Sequence, residues 1–224
     1  AEKGKKVEIW ERRDHIGGNM YDHVDDHGIL VQDYGPHTFH TKEKYLFDYM
    51  CRYEQWSDYK LTCGAVWNDT YTPTPFNFTT IDKFFDKQKA ETLKAKLTKV
   101  YEGRPTATVV EVLENEDDDI RAYAQYLFDN DYAPYTAKQW GVSPSEIDPS
   151  VLKRVPLRFS YDEGYFDDAY QVMPVHSFTE FFRNLLNHET ITVRTGVEPL
   201  ERIAVKDNKL YVDGEPYNNI LVYT

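Results

Sequence analysis

Only two cysteines, Cys51 and Cys63, occur in the 224 residues, and neither sits in a Cys or His spacing of metal-ligand type. A disulfide scaffold and a zinc centre have no support in the sequence, no metal site is expected, and a reducing cytoplasmic setting is. No apolar run approaches the ~20 residues of a membrane span, and the basic residues at Lys3, Lys5 and Lys6 precede no apolar stretch of signal-peptide type. A membrane partner is therefore not expected. Positive charge is also scarce: 26 Lys and Arg face 38 Asp and Glu, a formal net charge of −12. That balance opposes nucleic acid as a partner, because its backbone is anionic too. A small anion held by a few local arginines remains compatible with it.

Aromatic residues are abundant, 18 Tyr, 12 Phe and 4 Trp, which supplies a packed core and excludes a disordered chain. Residues 7–10 read as a strand that stops at Glu11 and enters the turn-rich stretch 14–19. Two β-prone runs follow, joined through Asp25, Asp26, His27 and Gly28 as a hairpin. From Thr41, the expected cap, Tyr45, Leu46, Tyr49, Met50 and Tyr53 recur at helical spacing. Asn68 and Asp69 mark the turn of another hairpin, with Pro73 and Pro75 ending its ladder. From about Thr80 to Gln139 the pattern is helical, broken at Gly103, Arg104 and Pro105 and at the acidic run 114–119. Beyond Ile147 come a strand in 154–162, a helix opened by Ser177 with Glu180 in the capping-box position, a hairpin turning at Asp207 and Asn208, and a last strand at 220–223.

Several short motifs carry chemistry. A carboxylate at the end of a strand, as at Glu11, accepts ribose hydroxyls in dinucleotide-binding folds, although a solvated Glu after a strand has the same appearance. Gly17 and Gly18 behind it allow a close backbone approach to a ligand. The segment 11–19, Glu-Arg-Arg-x-His-Ile-Gly-Gly-Asn, is similar to stretches in flavoproteins of the mutase and amine-oxidase type. A G-x-G-x-x-G phosphate loop ahead of Lys5 is absent from the sequence, so weak or no FAD binding by this chain alone is expected. His37 and His40 lie three apart on the loop Tyr-Gly-Pro-His-Thr-Phe-His-Thr, with no third ligand nearby for a metal. Tyr135 and Trp140, in Tyr-Thr-Ala-Lys-Gln-Trp-Gly, read by spacing alone as core aromatics near a helix end. Arg154 follows the Ser- and Pro-rich segment 143–150, and an Arg on such a loop can fork onto a diphosphate.

Together these motifs resemble the UDP-galactopyranose mutase family over nearly the whole chain, from Lys5 to Thr224. The resemblance implies an α/β fold: a partial FAD-binding Rossmann-like domain with an inserted helical subdomain and an antiparallel sheet. The expected segments are 1–76 (partial FAD-binding region and first sheet strands), 77–150 (helical subdomain with the substrate motif) and 151–224 (mobile loop, sheet and return to the FAD-binding domain). It implies an isomerase that interconverts UDP-galactopyranose and UDP-galactofuranose with reduced FAD, whose N5 attacks the anomeric carbon and expels UDP. Glu11, Arg12, Gly18, Asn19, His37 and Val197 are the implied cofactor-binding residues. His37, beside the isoalloxazine, and Arg154, on a mobile loop over the diphosphate, are the implied catalytic ones. Tyr135, Trp140, Arg154 and Tyr165 are implied to hold UDP-galactose, while Tyr170 also fits a core role. In the family the remaining site residues follow the position of Thr224, so no turnover by this chain alone is expected. A homodimer is left open. Pro36, Thr74 and the run 175–177 depart from bacterial members, which often carry Gly-Gly near the last of these. An amine-oxidase-like FAD oxidoreductase and a non-catalytic nucleotide-sugar binding fragment remain as alternatives.

Overall fold

The computed structural model describes residues 1–143, 146 and 155–224. In chain order the first elements are β1 (Val7–Trp10), β2 (Asp22–Val24), β3 (Leu30–Gln32), β4 (Phe39–Thr41), α1 (Lys44–Met50) and β5 (Trp56–Asp58). A middle group follows: β6 (Cys63–Trp67), β7 (Thr70–Thr74), α2 (Phe78–Phe84), α3 (Lys87–Val100), β8 (Thr106–Thr108), α4 (Val109–Leu113), α5 (Asp118–Leu127), a π-helical turn (Phe128–Tyr132), α6 (Ala133–Trp140) and β9 (Pro156–Arg158). The last are β10 (Tyr170–Pro174), α7 (Phe178–Leu186), β11 (Ile191–Arg194), β12 (Ile203–Lys206), β13 (Lys209–Val212) and β14 (Glu215–Pro216). They divide into two compact units, 1–59 with 168–224, and 60–167. The boundaries drawn from sequence at 76 and 150 both fall inside the second unit.

In the first unit β1 pairs in parallel with β11, Val7 opposite Ile191 and Trp10 opposite Arg194. β10 lies between β4 and β5, antiparallel to both, and its Val172 is buried with Phe178 and Phe181 of α7. The edge of Trp56 meets both phenylalanines. α7 is held by a polar anchor. The buried Asp22 accepts the Phe178 N–H at Oδ2 and the Thr179 N–H at Oδ1, each at 2.8 Å, and Thr179 Oγ1 donates to the Asp22 carbonyl. Ser177 caps the same helix by accepting the Glu180 N–H, as its sequence position implied.

The second unit is a helical core closed by two hairpin-like pairs. Apolar residues at helical spacing converge from each helix: Ile81 of α2, Leu93 and Leu97 of α3, Val109 and Val112 of α4, and Ile120, Ala124 and Leu127 of α5. Each of those helices starts on a residue legible as a cap, Asn77, Asp86, Thr108 and Asp117. Asp117 and Asp119 also pair with Lys96, so part of the acidic run opens α5 and meets a lysine. The β6–β7 hairpin joins this core through Trp67, which stacks on Phe84 and donates to Tyr126 Oη at 3.0 Å.

Several local expectations give way to tertiary structure. Thr41 ends β4 instead of capping a helix; α1 starts after Glu43 and stops at Met50, short of Tyr53. Pro73 does not end the ladder but sits within β7 opposite Gly64, tolerated because a two-stranded sheet leaves an outward edge. A short strand, β8, stands where only a break between helices was read, because β9 supplies its partner. Residues 220–223 form no strand: β-propensity needs a partner, and none is hydrogen-bonded to them among the described residues.

Two predictions follow from the buried carboxylates of the first unit. Asp22→Ala leaves two N–H groups of α7 without acceptors and should lower stability by about 2 kcal/mol, read from urea unfolding; Asp22→Asn should recover part. The buried Glu54 accepts from the Gln55 N–H and from His176 Nδ1 at 2.8 Å. That hydrogen bond and the negative charge raise the His176 pKa above its ordinary value. The imidazolium is thus favoured in the folded state. Its contribution is full below roughly pH 6.5 and is lost as pH rises through the raised value. Unfolding midpoints measured from pH 5.5 to 9 should fall across that window in the parent and stay flatter in Glu54→Gln.

Candidate functional site

The strand ends of the first unit place one group of candidates. Past β1 and β11 the two chains keep exchanging hydrogen bonds: Glu11 N–H donates to the Arg194 carbonyl (2.9 Å), Val197 N–H to the Glu11 carbonyl (3.0 Å) and Gly196 N–H to the Arg13 carbonyl (2.7 Å). Glu11 and Val197, far apart in sequence, therefore meet at the carboxyl ends of parallel strands, where α/β folds place ligands. One Glu11 oxygen accepts the Arg13 N–H at 2.9 Å, which fixes the carboxylate. Arg12 is exposed and makes no ion pair among the described residues.

The glycine pair lies directly beyond. Gly17 has φ +91°, and a Cβ there would stand 3.3 Å from Phe182 Cδ2 of α7, so the turn fits only a bare backbone. Asn19 accepts from Arg13 Nη2 at 2.8 Å, and the Arg13 guanidinium lies over the Tyr34 ring, 4.4 Å from its centroid. Tyr34 in turn donates to His15 Nε2 at 2.8 Å, and His15 stacks on Tyr21. Gln32 grips the main chain of His37 in both directions, accepting its N–H at 2.5 Å and donating to its carbonyl at 3.2 Å. His37 Nδ1 donates to the Gly35 carbonyl at 2.8 Å, which leaves Nε2 of the neutral ring as an acceptor. His40 pairs with Asp168 at 2.5 Å, a structural contact.

The second unit holds the other candidates. Tyr135 and Trp140 are 59% and 60% exposed, so the core-packing reading of both aromatics is overturned. Ala133 and Thr136 are the buried residues of α6, and Gly141 at φ +67° ends the helix just after Trp140. One turn before Tyr135, in the π-helical turn, burial pushes the Asp131 carboxyl up to about 6. Tyr165 is half-buried, its N–H donating to the Leu61 carbonyl at 2.8 Å. Arg154 and most of its expected mobile loop lie outside the described residues. The structure thus gathers Glu11, Gly18, Asn19, His37 and Val197 in one unit and Tyr135, Trp140 and Tyr165 in the other. Sequence reading named no role for Arg13, His15, Tyr34 and Arg158, whose partners are set by the fold; the first three lie within the motifs at 11–19 and 34–41, and Arg158 had no such signal.

Glu11 fits the ribose end of a dinucleotide, as a carboxylate fixed at the end of a parallel strand, while the Gly17 turn packs closely on Phe182. The family model described as UDP-galactopyranose mutase matches residues 131–224, and that of an NAD(P)-binding Rossmann-like domain matches residues 1–53. A probable UDP-galactopyranose mutase of Klebsiella pneumoniae is 35% identical over 195 residues, 86% of this chain and 50% of that protein. The dTDP-fucopyranose mutase of Escherichia coli is 33% identical over 98% of this chain and 57% of its own. The UDP-galactopyranose mutase of Mycoplasma pneumoniae is 30% identical over 100% and 56%. A crystal structure of reduced UDP-galactopyranose mutase shares the fold, with a TM-score of 0.58 at 17% identity over 92% of this chain and 46% of that one. The chain spans about half the length of the curated relatives it matches. Residues 131–224 match the model of the UDP-galactopyranose mutase family, and over 86% to 100% of its length the chain is similar to those mutases.

Proposed function

We propose that this chain is part of a flavin-dependent mutase that interconverts UDP-galactopyranose and UDP-galactofuranose. The observation that carries the reading is the exposure of Tyr135 and Trp140 on a helix that Gly141 ends: two large aromatics left in water suit a nucleotide-sugar surface better than a core. Glu11, Gly18, Asn19 and Val197 would hold FAD at its adenosine end, with His37 at the ring end. The chemistry supplied by reduced FAD is nucleophilic, an electron pair for the anomeric carbon as UDP departs. This chain's own part is positioning and charge. His37, its orientation set by Gln32 and Gly35, presents Nε2 as a hydrogen-bond acceptor. Trp140, Tyr135 and Tyr165 orient the nucleotide, and Arg154 neutralises the diphosphate as it leaves. A dTDP-sugar is the second reading, favoured by the near-equal similarity to the dTDP-fucopyranose mutase.

Titration with UDP and with dTDP, followed by tryptophan fluorescence, tests both. UDP should bind, and Trp140→Ala should weaken it about tenfold or more while removing most of the signal. Tighter binding of dTDP would favour the second reading; unchanged UDP affinity in Trp140→Ala would remove the basis of the first.

A further inference from the structure

Residues 162–167 are a Gly-containing loop with three carboxylates, a composition that usually gives a solvated, variable segment. Here it is tied down on several sides. Asn77, 1% exposed, donates from Nδ2 to the Asp162 carbonyl at 3.0 Å, Gly164 bridges to Thr62, and the Tyr165 N–H is held by Leu61. From β9, Arg158 reaches the same loop. It is 5% exposed, donates from Nη1 to Asp167 Oδ1 at 2.5 Å and from Nη2 to the Tyr165 carbonyl at 3.4 Å, and has Asp162 Oδ2 at 4.0 Å.

A buried guanidinium is costly to desolvate, and a hydrophobic side chain of similar volume is often as stable or more so. Its neighbours on the strand, Leu157 and Phe159, belong to or pack on the hydrophobic core. The cation is therefore a poor choice for stability alone, and what distinguishes it from an apolar residue is the fork that reaches Asp167 and the Tyr165 carbonyl together. We propose that Arg158 is a positioning residue: it fixes the main chain of Tyr165, and so the placement of the phenol that meets the nucleotide. The inference rests on the reading of Tyr165 as a nucleotide contact. Arg158 itself touches no substrate in this scheme; it acts through Tyr165.

A double-mutant cycle on this chain tests it, with UDP affinity and melting temperature read on each variant. Arg158→Met and Tyr165→Ala should each weaken UDP about tenfold, and the double variant should be no weaker than Tyr165→Ala alone. Arg158→Lys keeps the charge opposite Asp167 but loses the fork, so it should melt like the parent and still bind UDP more weakly. Should Arg158→Met not fold, Arg158→Lys and Asp167→Asn carry the test, since Asp167 is 54% exposed and its loss breaks only one arm. Parent affinity in folded Arg158 variants, or full additivity with Tyr165→Ala, would overturn the proposal. An unchanged affinity in Tyr165→Ala would instead sink the reading beneath it.

Discussion

The pairing of β1 with β11 constrains everything else in the first unit. Parallel neighbours cannot be joined by a tight turn; they need a long crossover, and here that crossover contains nearly the whole chain, the second unit included. The register is what matters for chemistry. With Val7 opposite Ile191, the main chain after Trp10 runs beside the main chain after Arg194, and the Val197 N–H reaches the Glu11 carbonyl. A slip of one residue would turn every side chain to the other face and separate these two groups. The meeting of Glu11 and Val197 is therefore a property of strand register before it is a property of any side chain.

Buried charge marks the places where the fold holds a loop in one geometry. Asp22 ties β2 to the start of α7, Glu54 ties the approach to β5 to His176, and Arg158 ties β9 to the Tyr165 loop. Each is an ion that would be expensive to bury without partners, and each spends its hydrogen bonds on backbone or on a group next to a turn. His176 stands at the surface with its Nδ1 turned to the Glu54 carboxylate, directly ahead of the Ser177 cap.

What was legible in the sequence was local. β1, the turns at Asp25–Gly28, Asn68–Asp69 and Asp207–Asn208, and the Ser177 cap depend on residues within a few positions of one another, and the structure has them. The failures are non-local. Thr41 is a good cap by type, yet β10 claims it as a strand residue; residues 220–223 are good strand formers without a partner strand among the described residues. The same divide runs through the site. Glu11, Gly17 and Gly18 announce themselves by position after a strand, whereas Tyr34 under Arg13 and Arg158 beneath Tyr165 are visible only once the chain has folded. Spacing alone also reads Tyr135 and Trp140 as core aromatics, although five residues along a helix separate them by more than a third of a turn. Burial of Ala133 and Thr136 on α6 decides it: that side faces inward and the two aromatics do not.

The charge of −12 bears on how such a protein would recognise anions at all. A general positive field is ruled out, so a dinucleotide or a nucleotide sugar must be met by short-range donors. The first unit holds the Glu11 carboxylate at a strand end, a group suited to hydroxyls and not to phosphate. The second unit exposes the rings of Tyr135 and Trp140. Where Lys and Arg are outnumbered by Asp and Glu, a local arginine matters more for binding an anion than the total suggests.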